Sequence, residues 1–177
     1  EEWRTGPTPG VAVPPEVIAA LEKKQFLPVA ELDSGFIRPS YPNQVQISYM
    51  QSGLVCLFIE QRWGFEQLGA LLRQFDGKRT TAQAIEATFK IAPAAFDKEL
   101  DTFVRGRFAN VLANFDEWQQ QQQAARQAIQ KERWSDVIEP ARRAVALYPE
   151  NVGGDSPYLM LARGLARLDR RPDALVA

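Results

Sequence analysis

The chain has 177 residues, of which 45% are hydrophobic, so it can bury the core of one ordinary domain or of two small ones. Its 21 basic and 22 acidic residues nearly cancel, which gives no electrostatic reason to expect nucleic acid as a partner. It contains no histidine, and this excludes catalytic triads and zinc sites that depend on histidine. It lacks an apolar run of about 18 residues, so we expect no membrane-spanning segment.

Hydrophobic residues at helical spacing predict a series of helices in the first 110 residues. A first helix is expected to begin at Pro14-Pro15-Glu16, because proline suits the first helical turn and glutamate favours the positive end of the helix dipole. Leu32, Phe36 and Ile37 are expected to be apolar anchors in a loop, and residues 45–47 show only a weak strand pattern. The later predicted helices run from about Asn43 to Arg62, from Phe65 to Phe75, from Thr80 or Thr81 to Phe89, and onward from Pro93.

Two groups of reactive side chains favour structural roles over catalytic ones. Cys56 lies in an apolar run, which predicts a buried and inert thiol. Asp97, Glu99 and Asp101 lie on the polar side of a predicted amphipathic helix, so a solvated face is a better interpretation than a glycosidase-like carboxylate pair. No residue of this sequence is therefore assigned as catalytic, cofactor-binding or metal-binding.

The arginines and tryptophans allow two interpretations each. Arginines recur every three or four residues near the carboxyl end, where they could form a surface for an acidic partner, but interleaved aspartates favour a solvated helix face. The tryptophans are expected in the core rather than stacked on a cofactor. The residues concerned are Arg163, Arg167, Arg170 and Arg171, and Trp3, Trp63, Trp118 and Trp134.

A run of five glutamines, Gln119–Gln123, could be taken for a low-complexity tract. Its flanks argue against that, because Trp118, Ala125 and Ile129 continue a helical pattern and glutamine is a fair helix former. We therefore expect the glutamines to form a solvated helix face.

The stretch from Trp118 to Pro149 resembles the tetratricopeptide repeat, a helix–turn–helix unit of 34 residues. The matching positions are Ala124 and Ala125 in the first helix, Trp134 at the start of the second, Ala144 late in it, and Tyr148-Pro149 at its end. Gln121 departs from the pattern where a tryptophan is usual, as do Val137 and Ala141 in the second helix. A second unit is expected from about Ser156, with Tyr158, Leu161, Ala162, Leu165 and Leu168 in its first helix and Ala174 in its second.

The upstream part of the chain resembles the region downstream of the active site in peptidase MA-like domains, which are gluzincin zinc metallopeptidases. The segments that carry this resemblance are Leu27–Leu32, Gly35-Phe36, Tyr49–Ser52, Glu60–Phe65, Leu71–Arg73, Asp76-Gly77, Thr81–Ile85 and Phe96–Phe103. Bacterial members of that family often carry tetratricopeptide repeats. The family's zinc ligands lie in a His-Glu-x-x-His motif and a downstream glutamate, and this sequence contains no such motif.

Together these patterns predict an all-α fold with two parts, a helical subdomain at residues 1–112 and one and a half to two tetratricopeptide repeats at residues 116–177. The repeats predict a protein-interaction scaffold that binds a protein or peptide partner. The alternative is that the chain forms the downstream wall of a zinc peptidase whose His-Glu-x-x-His motif precedes Glu1. The residues before Glu1 would discriminate between them. The resemblance also implies a periplasmic or envelope-associated location.

The enzymatic alternative yields a testable expectation, because the resemblance implies zinc only in a longer parent protein. We expect this chain alone to show no peptidase activity and no stoichiometric zinc at neutral pH. Metal analysis of the purified protein checks this directly, and one tightly bound zinc per chain would contradict it.

Overall fold

The computed structural model of the chain describes residues 13–169, and within that range it contains helices and no strand. The predicted all-α class is therefore confirmed. No helix in this range has both the length and the apolar character needed to cross a bilayer. The α-helices are α1 Pro15–Glu22, α2 Ser34–Ile37, α3 Gln44–Trp63, α4 Glu66–Arg73, α5 Thr81–Phe89, α6 Pro93–Arg107, α7 Ala109–Gln130, α8 Ser135–Leu147 and α9 Pro157–Arg167.

The ends of several helices follow from local chemistry. Thr80 caps α5, since its hydroxyl accepts a hydrogen bond from the Gln83 amide while the Gln83 side chain accepts one from the Thr80 amide. Pro93 begins α6, as expected for a residue without an amide hydrogen. Gly64 ends α3 with a φ of 94°, a backbone conformation that side chains with a Cβ rarely adopt.

Two local predictions were wrong. The stretch predicted as a loop around Leu32 instead forms a 3₁₀ turn, Val29–Glu31, followed by α2. Ile37 is not an anchor, because 71% of its surface is exposed. Residues 45–47, whose strand pattern was weak, lie in the first turn of α3, within the helix predicted from about Asn43. A short alternation of apolar residues does not distinguish a strand from the beginning of a long helix.

The chain divides into two compact units. The bundle unit is Ala19–Phe108, and the hairpin unit comprises the described residues 13–18 and 109–169. Helix α1 contributes to both, since the division falls after Ile18. Helix α7 begins at Ala109 and runs through residues 112–116, where the sequence pattern placed the boundary.

Aromatic rings form the core of the bundle unit. Phe96 on α6 is fully buried, with its ring centroid 5.3 Å from that of Phe58, 5.4 Å from that of Phe89 and 5.9 Å from that of Trp63. The Trp63 and Phe96 rings are stacked with an angle of 4° between their planes. These contacts join α3, α5 and α6, so this aromatic cluster of Phe58, Trp63, Phe89 and Phe96 holds the three helices together.

Small side chains let the helices of the hairpin unit approach closely. Helix α7 packs against α8, and α9 packs against both. The core consists of Ala125, Ala128, Val137, Ala141, Met160, Leu161 and Leu165. At Gly164 of α9 a Cβ would lie 3.0 Å from the Ile138 side chain and 3.2 Å from that of Val137, so larger residues would separate α8 from α9.

Ala124, expected at a helix contact, is instead exposed, whereas Ala125 is fully buried. Successive helical residues point about 100° apart, so a pair of alanines cannot both face one neighbour. Ala128, one turn later, is the second small residue at the contact. The helix that would contain Ala174 lies outside the described residues.

Candidate functional site

A groove runs along α7 in the hairpin unit. Its larger section has a volume of about 880 Å³, and a smaller section of about 350 Å³ lies between α7 and α9. Arg126, Gln130, Gly154 and Asp155 line both sections, so the two are continuous. We call the whole feature the α7 groove, the larger part its amide section and the smaller part its apolar section.

Amide side chains dominate the larger section. They project from α7 in two rows at a spacing of four residues, which places each row along one side of the helix. The first row is Gln119, Gln123 and Gln127, and the second consists of Gln122 and Gln130 with the guanidinium of Arg126 between them in sequence. The glutamine run is helical, as expected, and Gln119, Gln120 and Gln123 are exposed, but several of the glutamines also line a concave surface, which the expected solvated face did not include.

The smaller section combines apolar and cationic side chains. Ile129, Met160 and Leu159 line it, and 54% of the surface of Leu159 is exposed. Arg126 and Arg163 also line this section. With a half-exposed leucine and two arginines in its lining, this section offers both an apolar contact and a positive field to a ligand in the groove.

Trp134 holds the arginines of α9. The guanidinium carbon of Arg163 lies 5.6 Å from the centre of the Trp134 ring, and that of Arg167 lies 5.1 Å from it. Both arginines are exposed, yet they are positioned by cation–π contacts rather than simply solvated. The other two arginines of the predicted cluster, Arg170 and Arg171, lie outside the described residues, as does Trp3.

Residues 13–16 form one wall of the groove, and a contact between distant parts of the sequence holds them there. The Tyr148 hydroxyl donates a hydrogen bond of 2.5 Å to the carbonyl oxygen of Val13, which lines the amide section. Tyr148 is completely buried, and its ring lies edge-on to Trp118 with the centroids 5.4 Å apart. Tyr148 closes the helix pair as the sequence predicted, but its role in fixing residues 13–16 beside the groove left no sequence signal.

The Tyr148 phenol also makes stability depend on pH. Burial raises its pKa above the ordinary value of 10.0, and the carboxylates of Glu150 and Glu16 add to the increase. The folded state therefore keeps the proton at a pH where the unfolded chain loses it. The resulting stabilisation is complete below about pH 10 and falls as the pH rises above that value.

We expect Tyr148→Phe to lower the free energy of unfolding at neutral pH by about 1–2 kcal/mol, because the buried Val13 carbonyl loses its donor. The loss of stability above pH 10 should be smaller in the variant than in the natural chain. Urea unfolding between pH 7 and pH 11 checks both statements. Parallel pH profiles for the two proteins would show that Tyr148 does not carry the effect.

Three carboxylates on α6 of the bundle unit have structural partners. Asp97 accepts a hydrogen bond of 3.0 Å from the Val29 amide, and burial raises its pKa. The Arg62 guanidinium lies 3.4 Å from Glu99, and that of Arg105 lies 3.0 Å from Asp101. Glu99 and Asp101 form exposed ion pairs, but Asp97 is half-buried rather than solvated, because it holds the 3₁₀ turn against α6.

Cys56 is exposed, so the prediction of a buried thiol was wrong. The apolar stripe of α3 is narrower than the sequence run implied, and its buried apolar members are Ile47, Leu54, Val55, Phe58 and Ile59. Nearby protein atoms still desolvate the sulfur and raise the pKa of the Cys56 thiol, which disfavours the reactive thiolate.

Within the described part of the chain, no three histidine, cysteine, aspartate or glutamate side chains lie close enough together to hold a metal ion. One signal for the α7 groove was visible in the sequence, since Gln119, Gln123 and Gln127 recur at a four-residue spacing. No family model, curated protein or solved structure matches the chain.

Proposed function

We propose that the hairpin unit is a protein-interaction module of the tetratricopeptide type, which binds an extended peptide segment in the α7 groove. The observation that carries this proposal is the groove itself, with amide side chains along α7 and the half-exposed Leu159 in its apolar section. The stacking of α9 on both α7 and α8 supports it, because repeat arrays bury their helices against neighbours in this way.

The chemistry of the lining favours binding over catalysis. Glutamine side chains donate and accept hydrogen bonds but do not ionise, so they suit recognition and cannot act as acid or base. The charged groups along the groove, Glu16, Arg126, Asp155 and Arg163, can orient a ligand electrostatically.

The length of the groove sets the size of the ligand. Gln119 and Gln130 are eleven residues apart on α7, which corresponds to about 16 Å along the helix axis. An extended chain advances about 3.3 Å per residue, so about five residues fit beside this part of α7. A short linear segment therefore matches the dimensions of the site.

Selection of a phage-displayed library of random seven-residue peptides against the whole chain tests the proposal. We expect enriched peptides with micromolar dissociation constants, and a loss of affinity of about tenfold in Leu159→Ser, because the partner's apolar contact is removed. Val152→Ser is the matched control, since Val152 is 56% exposed but lines neither section of the groove. Failure to enrich any peptide, or equal losses in both variants, would refute the proposal.

A further inference from the structure

The bundle unit shows how a glutamine of this protein can bind a peptide main chain. Gln51 on α3 accepts a hydrogen bond of 3.2 Å from the Leu27 amide and donates one of 2.5 Å to the Leu27 carbonyl. Leu27 lies outside the helices and precedes Pro28, a position that favours an extended conformation. One primary amide on a helix thus satisfies both polar groups of one residue in a non-helical segment.

The rows of the α7 groove place such amides at a spacing close to that of main-chain groups in an extended peptide. Residues four apart on a helix are about 6 Å apart along its axis. In an extended chain, alternate residues present their main-chain groups to the same side about 6.7 Å apart. The mismatch of about 0.7 Å per step is within the reach of a flexible glutamine side chain. The row Gln119, Gln123 and Gln127 can therefore hydrogen-bond to alternate residues of one segment.

The charged side chains of the apolar section indicate which peptide side chains the groove prefers. The Arg126 guanidinium lies 3.8 Å from the Asp155 carboxylate, which is beyond hydrogen-bond distance, and the Asp155 side chain is 90% exposed. Arg163 forms no ion pair with any residue between 13 and 169. Two guanidinium groups and one carboxylate leave an excess positive charge beside the apolar contact made by Leu159.

We propose that the α7 groove binds an extended peptide through its main chain, using the glutamine row, and that it selects an acidic residue adjacent to an apolar one at the Arg126–Arg163 end. This inference rests on the proposed peptide-binding function and adds the chemistry of the ligand. The apolar side chain contacts Leu159, the carboxylate lies between the two arginines, and the remaining side chains of the segment contribute little to specificity.

The probe is a fluorescein-labelled seven-residue peptide of threonine and alanine that carries one leucine followed by one aspartate, and its binding is measured by anisotropy at 0.15 M salt. Replacing the aspartate by asparagine should weaken binding about threefold to tenfold. Arg163→Glu should abolish that preference and favour a lysine in place of the aspartate. Equal affinity for the aspartate and asparagine peptides would overturn the charge part of the inference.

The main-chain contacts have their own test. Methylation of alternate peptide nitrogens removes the hydrogen-bond donors on one side of an extended chain. Of two peptides, one methylated at the odd-numbered nitrogens and one at the even-numbered nitrogens, only the one whose methyl groups face the glutamine row should bind about tenfold more weakly. Gln123→Met should weaken binding of the unmethylated probe, whereas Gln120→Met is the matched control, because Gln120 is exposed on the same helix but does not line the groove. Equal effects of both methylation patterns, or of both substitutions, would overturn this part.

The experiments distinguish an error in the proposed peptide-binding function from an error in the inferred ligand chemistry. If library peptides bind while the leucine–aspartate probe does not, or binds without these preferences, the peptide-binding function stands and the inferred ligand chemistry is wrong. If neither the library nor the probe yields binding, the proposed function itself is wrong.

Discussion

Ala144→Trp should destabilise the hairpin unit by about 3 kcal/mol or more. Ala144 on α8 is fully buried, and α8 packs against both α7 and α9, so an indole ring there can be accommodated only if the helices separate. Urea unfolding monitored by circular dichroism at 222 nm would show the effect as a lower midpoint with a similar slope.

The control for this substitution is on the same helix. Ala146, two residues later, is exposed, so Ala146→Trp should change the free energy of unfolding by no more than about 0.5 kcal/mol. Both variants add the same side chain to the same helix, and they differ only in whether that side chain meets a neighbouring helix. An unchanged midpoint in Ala144→Trp would count against the stacked helical hairpins.

Phe96→Ala should destabilise the bundle unit by about 3–5 kcal/mol, the range found when a buried aromatic ring is replaced by a methyl group. Phe96 is fully buried and its ring contacts those of Phe58, Trp63 and Phe89, so the substitution leaves a cavity where three helices meet. Fluorescence is a suitable probe of unfolding, because the Trp63 ring is stacked on that of Phe96.

Phe75→Ala provides the comparison. Its side chain is 40% exposed, so the substitution should lower the free energy of unfolding by clearly less, about 1–1.5 kcal/mol. If Phe96→Ala and Phe75→Ala lowered the free energy of unfolding by similar amounts, the aromatic cluster would not be the core of this unit.

The helical elements could be predicted because their signals are local. The apolar stripe of α3, the threonine cap of α5 and the proline at the start of α6 each depend on residues within one or two turns. The close helix contact at Ala144 could also be predicted, since a small residue at that position of a helical hairpin is typical of two helices in close approach. The boundaries of α3, α4 and α5 agree with the structure to within a few residues, because the end of a helix also depends on its nearest residues, whereas α7 begins at Ala109, well before the predicted start at Trp118.

The groove could be predicted only in part, because it depends on contacts between residues far apart in sequence. The four-residue spacing of the glutamines was visible, but the concave surface requires Val13 to be held by Tyr148, 135 residues away. The exposure of Cys56 was mispredicted for a related reason. An apolar run shows that a helix has a buried side, whereas the neighbours that pack on it decide how wide that side is.

The proposed function places a bound peptide in the α7 groove. The most direct test is a titration of the isotope-labelled chain with a library-selected peptide, followed by amide chemical-shift mapping. We expect the largest shifts at residues 119–130 of α7 and residues 154–163, with little change in α3 and α6. A bound peptide that instead shifts chiefly the residues around Phe58 and Phe103, which line a concavity of about 480 Å³ in the bundle unit, would show that the α7 groove is not the binding surface.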